Sequence, residues 1–420
     1  MNILIRNVLH QGSTKDIFIA DGRIEEISSR CTRQADRIID GTNKAALPAL
    51  INGHTHAAMT LFRGYADDLP LKHWLEGKIW PLEAKLTEED IYWGSKLACL
   101  EMIKNGITVF NDMYWYWEAT AKAVCDMGMR GFISAVFIDM FDARLGREQT
   151  EENLALFALS EKYRPNVTFT FGPHAIYTVS KESLQWMAGF AEQEGLLIHM
   201  HLSETADETD FSREKYGLSP TEFLDSLGVL SERFIGCHGC TLDENDCAIL
   251  KRRHANLVHM PVSNLKLAVE GSFPYLLVQD GRSGIPFCFG TDGCASNNHL
   301  DLIESMKFAS LLAKFVTHDP TVMAAQNVFK AATEGAAAIF RLGDWTIEAG
   351  RQTDIILVDL NRPEMTPNFD IYSNIVYASN GYVVDTVISM GRVLMENRYV
   401  PGEEEILKMA SLTARNLAGR

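Results

Sequence analysis

Eight short apolar, β-rich runs, each followed by a longer stretch of helical periodicity, constrain this chain more than any other feature. The runs are Ala46 to Asn52, Ile107 to Asp112, Gly131 to Asp139, Val167 to Pro173, Leu196 to Leu202, Phe234 to Cys237, Asn256 to Met260 and Pro286 to Gly290. Continuous apolar runs fit strands covered on both faces, as in a parallel sheet wrapped by helices. Thr87-x-x-Asp90, Ser219-Pro220-x-Glu222 and Thr241-x-x-Glu244 read as capping boxes that start helices. After the eighth run, Leu302, Met306, Ala309 and Ala313 recur at helical spacing. Eight β/α alternations within about 300 residues predict a (β/α)8 TIM barrel.

The two ends differ in texture. Residues 2–45 pattern as small antiparallel strands, with Ile17, Ile19 and Ile24 flanking the turn Asp21-Gly22, and Thr353 to Leu360 and Val383 to Met390 repeat the pattern. The expected architecture is α/β: a barrel over residues 48–344 and a small composite β-sandwich domain built from residues 1–47 and 345–420.

Several function classes drop out by inspection. With 39 Lys+Arg against 55 Asp+Glu, the formal charge of −16 argues against nucleic acid or an anionic membrane as partner and favours a small ligand. No apolar run reaches eighteen residues and the N-terminus lacks a signal-peptide core, so a cytoplasmic protein is expected. The eight cysteines are scattered and read as reduced thiols. A dinucleotide-binding G-x-G-x-x-G, a G-x-S-x-G elbow, a P-loop and an H-E-x-x-H helix are all missing.

Barrel enzymes carry their chemistry at the C-terminal ends of the strands. Seven of the twelve histidines fall in or just after predicted strands: His54, His56, His174, His199, His201, His238 and His259. In His54-Thr55-His56 the alternation of a strand points both imidazoles the same way, which suits two ligands of one metal. His199-Met200-His201 repeats the spacing, Glu204 follows it, His238 ends the sixth run, and Asp292 follows the eighth. Three histidines and a carboxylate converging from strands one, five and eight would form an N/O site suited to zinc or iron, with a position left for water. Asp292 can act as ligand and base, Glu204 as the carrier of a proton to a ring nitrogen, and His238 as the group that orients the nucleophile.

These segments resemble the amidohydrolase superfamily, and within it the methylthioadenosine/S-adenosylhomocysteine deaminase branch of the cytosine-deaminase-like and chlorohydrolase-like hydrolases. The resemblance is carried by residues 48–56, 73–83, 172–180, 201–204, 260–267 and 290–298. It implies His54, His56, His201 and Asp292 as metal ligands, Glu204, His238 and Asp292 as catalytic groups, and Glu83, His174, Glu204 and Ser296 as substrate contacts. One divalent ion per subunit is implied, zinc first and iron or manganese as alternatives, together with a homo-oligomer. Strand four ends without the lysine of binuclear members, which fits a mononuclear site and hydrolytic deamination. The implied substrates are adenosine-type nucleosides: methylthioadenosine, S-adenosylhomocysteine, adenosine or 5′-deoxyadenosine. The alternatives are deamination or dechlorination of another ring, such as guanine, an oxidised purine, a pterin or a triazine, and a silent metal-binding barrel.

One departure narrows the substrate. Homocysteine-carboxylate recognition in this branch is associated with an arginine near the end of strand three, and none lies in Gly131 to Met140; Arg144 and Arg147 are the nearest later candidates. Tyr114 to Trp117 are candidates for an apolar pocket wall. Individually, Trp74, Trp80, Trp93, Trp115 and Trp117 read first as core or subunit contacts, His199 as a hydrogen-bonded support, and His259 as a buried packing residue. His10, His73, His254, His299 and His318 read as surface or loop residues, Cys237 and Cys240 as packing, and Glu403 to Glu405 as a solvated helix start.

Overall fold

The computed structural model describes residues 1–69, 71–278 and 284–420. Five strands open the chain: β1 (Ile3–His10), β2 (Ser13–Ala20), β3 (Arg23–Ser28), β4 (Arg37–Asp40) and β5 (Lys44–Pro48). The next eight are β6 (Leu50–Thr55), β7 (Ile107–Tyr114), β8 (Arg130–Phe137), β9 (Val167–Pro173), β10 (Ile198–Leu202), β11 (Phe234–His238), β12 (Asn256–His259) and β13 (Phe287–Phe289). They lie in sequence order in one parallel sheet, the (β/α)8 barrel that the alternation predicts. Every residue of β6, β7, β10, β11 and β12 is buried, which is why these strands read as unbroken apolar runs.

The barrel closes through the segment after β13. Thr291 and Asp292 donate their backbone N–H groups to the His54 carbonyl, and Asn52 clasps Thr291 through both side-chain amide atoms at 2.7 and 3.0 Å. Close approach here requires glycine: a Cβ on Gly53 would meet Cys288 Sγ at 2.6 Å.

Three strands follow the barrel: β14 (Ile355–Asp359), β15 (Val384–Ser389) and β16 (Arg392–Met395). They join the N-terminal strands in one sheet of order β16-β15-β14-β5-β1-β2-β3, with β4 on β1. The sheet folds over itself. Ile24 and Ile388, far apart in that order, share one core with Ile3, Ile17 and Leu357, and a Cβ on Gly391 would meet Gly22 at 2.8 Å. Buried Asp354 ties this sheet to the barrel, accepting from Arg130 at 2.7 Å and from Ser389 at 2.8 Å.

Several expectations need correction. The first run, Ala46 to Asn52, is two strands in two sheets, breaking at Ala49, whose N–H bonds to Asp354 while that of Leu50 turns to Gly106 in the barrel. The N-terminal strands are not all antiparallel, because the chain returns beneath β1 and pairs β4 and β5 parallel to it. The box at Thr241 is displaced: Asp243 and Asp246 cap helix Glu244–Arg253, while the Thr241 hydroxyl serves the Ser203 carbonyl. His10 is buried at the end of β1. The boxes at Thr87 and Ser219 and the buried row Leu302, Met306, Ala309 and Ala313 are as expected. All eight cysteines are free thiols, and no described helix is long and apolar enough to cross a membrane.

Candidate metal centre and cavity

At the C-terminal mouth of the barrel the predicted residues converge. His54 and His56 end β6 and share a face, and their Nε2 atoms lie 3.5 and 3.4 Å from Asp292 Oδ1. His201 from β10 and His238 from β11 complete the cluster, with donor atoms of His54, His201 and His238 all within 4.8 Å of one another. Each ring is held by its other nitrogen. His56 Nδ1 meets the Met113 carbonyl at 2.7 Å, His201 Nδ1 the His174 carbonyl at 2.8 Å, and His54 Nδ1 shares a 2.7 Å hydrogen bond with His199 Nε2. Such contacts turn the Nε2 lone pairs inward and fix the rings.

Electrostatics suits a cation. Burial holds His54 and His238 down at about 4 and His201 well below its usual value, so the rings are neutral lone-pair donors at neutral pH. Burial alone would raise Asp292, but the His54 imidazole, whose Nε2 stands 3.5 Å away, and the neighbouring His56 and His238 hold it well below the carboxylate range. His54 Nε2 is buried without a hydrogen-bond partner. An orphaned donor atom among neutral imidazoles and an ionised carboxylate is what a divalent ion would satisfy, and the residues fit one.

The backbone is bent to make this arrangement. His238 and Asp292 adopt φ of +77° and +63°, left-handed conformations that are rare outside glycine and tend to mark sites where strain serves function. Asp292 is braced through Oδ2 by the hydroxyls of Ser263 at 2.6 Å and Ser296 at 2.9 Å, and through Oδ1 by the Gly293 N–H at 2.8 Å. Ser296, expected at the substrate, thus spends its hydroxyl on Asp292 while still lining the cavity.

Glu204 lies with its Oε1 3.7 Å from His238 Nε2. Burial, reinforced by the nearby Asp292 charge, pushes it up to about 8, so it holds a proton at neutral pH. Asn264 Nδ2 donates to His238 Nδ1 at 2.9 Å, which leaves the ring proton on Nε2, facing Glu204. The stretch carrying Glu204 is pinned by a residue that the sequence does not single out: buried Glu208 accepts the N–H groups of Ser203 at 3.0 Å and Glu204 at 2.9 Å. Asp112 was also missed; it accepts from Thr55 Oγ1 at 2.8 Å and Ala57 N at 2.6 Å and so fixes both sides of His56. A carboxylate four residues beyond Glu204 and one ending the second strand were the available signals.

These groups form the floor of a cavity of about 940 Å³. Glu83 lines it, accepts the Tyr114 hydroxyl at 2.7 Å and is raised by burial. His174 lines it too, its Nδ1 2.9 Å from Thr178 Oγ1. Much of the remaining wall is apolar, with Trp74, Ile79, Trp80, Trp115, Tyr116, Met140 and Leu267. Trp74 is therefore a wall residue as well as packing, whereas Trp80 is an exposed wall residue. Trp117 is not in the wall: it is buried, donates to the Ile133 carbonyl at 2.8 Å and packs on Tyr163 and Phe169. Arg144 pairs with Glu148 on the surface, and Arg147 borders a separate shallow pocket. His259 contacts Tyr275 and Phe273, as a packing residue would.

A (β/α)8 barrel with four histidines and an aspartate at its mouth defines a metal-dependent hydrolase scaffold, and residues 45–394 match the amidohydrolase family, to which this chain belongs. It is 45% identical to a 5′-deoxyadenosine deaminase of Methanoregula boonei over 425 residues, covering 100% of this chain and 96% of that protein. It is 43% identical to a 5-methylthioadenosine/S-adenosylhomocysteine deaminase of Archaeoglobus fulgidus, covering 94% of each. Among solved structures, an adenosine deaminase of Xanthomonas campestris with bound zinc superposes with a TM-score of 0.92 at 31% identity, covering 100% of this chain and 98% of that one.

Proposed function

We propose that this chain is a zinc-dependent aminohydrolase of adenosine-type nucleosides, replacing the purine C6 amine by oxygen and releasing ammonia. The observation that carries the reading is the clustering of His54, His56, His201 and Asp292 with buried Glu204, which burial raises to about 8, standing 3.7 Å from His238. The names of the relatives point to the same substrates, and the zinc in the Xanthomonas protein supports zinc here.

Held by His54, His56, His201 and Asp292, one divalent ion per subunit would supply a Lewis acid that brings the pKa of water from 15.7 to about 7. Asp292 accepts the proton of the attacking water. Glu204 donates its proton to the ring nitrogen beside C6, which makes that carbon electrophilic, and His238 Nε2–H hydrogen-bonds the oxygen that adds. The proton on Asp292 then leaves with ammonia, and as the C6 oxygen becomes a carbonyl its remaining hydroxyl proton returns to Glu204. Glu83 and His174, which line the cavity, serve in this reading to hold the sugar and base, and apolar walls suit a flat purine.

Ammonia release from a panel of 5′-deoxyadenosine, methylthioadenosine, S-adenosylhomocysteine, adenosine, guanine and a triazine tests the reading. Turnover of guanine or the triazine, with none on the adenosine compounds, would overturn it. The exposed apolar stripe Phe308, Leu311 and Phe315 supports assembly into a homo-oligomer, which sedimentation would measure.

A further inference from the structure

The side of the cavity bordered by helix Ala143–Ser160 carries its own chemical signal. Among the described residues, the lining includes the carboxyls of Glu83, Glu152, Glu204 and Asp292 and no lysine or arginine. Glu204 and Glu83 are pushed toward the neutral form by burial, and Asp292 faces the histidines. Glu152 is different. It is exposed, stands on helix Ala143–Ser160 and makes no hydrogen bond or ion pair with the described residues. Its position is fixed, because Gln149, one turn earlier, grips Ile138 of the cavity wall through both backbone groups at 2.7 Å. The two cations of that helix are elsewhere: Arg144 is spent on Glu148, and Arg147 borders the separate pocket.

Resting on the adenosine-type reading, with the reacting amine at Glu204 and Asp292, the 5′ substituent points away from the floor. We infer that the site sorts nucleosides by the charge of that substituent, favouring cationic over neutral and neutral over anionic groups, with Glu152 as the discriminating residue. A carboxylate or phosphate entering here meets a like charge and, among the described residues, no counter-ion, whereas an ammonium gains a partner.

The test compares kcat/KM of the metal-loaded enzyme for 5′-amino-5′-deoxyadenosine, 5′-deoxyadenosine and adenosine 5′-carboxylate at low salt. Each exposed charge contact moves affinity by up to about fivefold, so the amine should exceed the carboxylate by roughly tenfold. The ratio should shrink in about 1 M salt, where exposed charges are screened. Glu152→Gln should narrow it and Glu152→Lys reverse it. A carboxylate used as well as the amine, or a ratio that both variants leave alone, overturns the charge rule while turnover of 5′-deoxyadenosine keeps the nucleoside reading. No turnover of any of the three overturns both.

Discussion

Glu204 and Asp292 are both buried carboxyls, yet their surroundings drive them apart: one is raised to about 8, the other held well below its usual range. That separation supports the acid and base roles proposed for them. Replacing Glu204 by Gln removes the transferable proton but no ligand. We therefore expect kcat to fall by about 10²–10⁴ with metal content by elemental analysis unchanged, and undiminished turnover would remove Glu204 from the mechanism. Ser296 offers a second test at this scale, because its hydroxyl is on Asp292. If it braces that aspartate, Ser296→Ala should weaken metal affinity by about 10–100-fold; a rise in KM with metal affinity intact would make it a substrate contact instead. The histidines were legible because strand alternation and strand ends predict where imidazoles point. Glu208 was not, since its role exists only once the chain turns back at Ser203, whose φ is +50°.

The elements show where periodicity stops being informative. A single apolar run feeds β5 into one sheet and β6 into another, and nothing in its composition marks Ala49 as the break, because both halves are buried. The same limit explains Trp117: four aromatic residues in a row look alike, but helix Trp117–Met127 starts there and turns its first residue into the core. The cap is displaced to Asp243, whose carboxylate accepts the Asp246 N–H, while Thr241 donates its hydroxyl to the Ser203 carbonyl. By contrast, the closure between β6 and the segment after β13 leaves no room at Gly53, where an added Cβ would press on Cys288 Sγ at 2.6 Å, Val258 Cγ1 at 3.0 Å and the Phe289 carbonyl at 3.1 Å. Gly53→Ala should therefore cost about 1–3 kcal/mol. Denaturant unfolding should show a lower midpoint with an unchanged slope, and an unmoved midpoint would mean that the first and last strands can part at little cost.

For the whole molecule, the barrel and the terminal sheet were legible in outline because eight alternations and two β-textured ends leave few ways to fold. The charge of −16 did not show where acid matters, because the decisive carboxyls are buried in the mouth while most of the others face water. Those buried groups give the metal-free protein a distinctive pH profile. Burial raises Glu204 and Glu208 from 4.5 to about 8, so between those values the folded state holds more protons than the unfolded one and stability falls as pH rises. Asp112, raised by burial from 3.8 to about 6, acts the same way over a lower window. Burial has the opposite effect on the histidines: His54, His174 and His238 drop from 6.5 to about 4, and His199 and His201 fall further. Their contribution is lost as pH falls below 6.5. Below about 6.5 the histidines outnumber the raised carboxyls; from there to about 8 Glu204 and Glu208 lead, and above that the buried thiols, raised from 9.0, add to the loss, so metal-free stability should peak near pH 6.5 and decline on the alkaline side. Glu208→Gln should flatten the alkaline limb. Zinc should raise the melting temperature in a concentration-dependent way, because it binds only where the histidines and Asp292 are assembled. Thermal unfolding of chelated and zinc-loaded protein from about pH 5 to 9 would check this, and metal-free stability that keeps rising from pH 6.5 to 8 would show that Glu204 and Glu208 are ionised in the folded state.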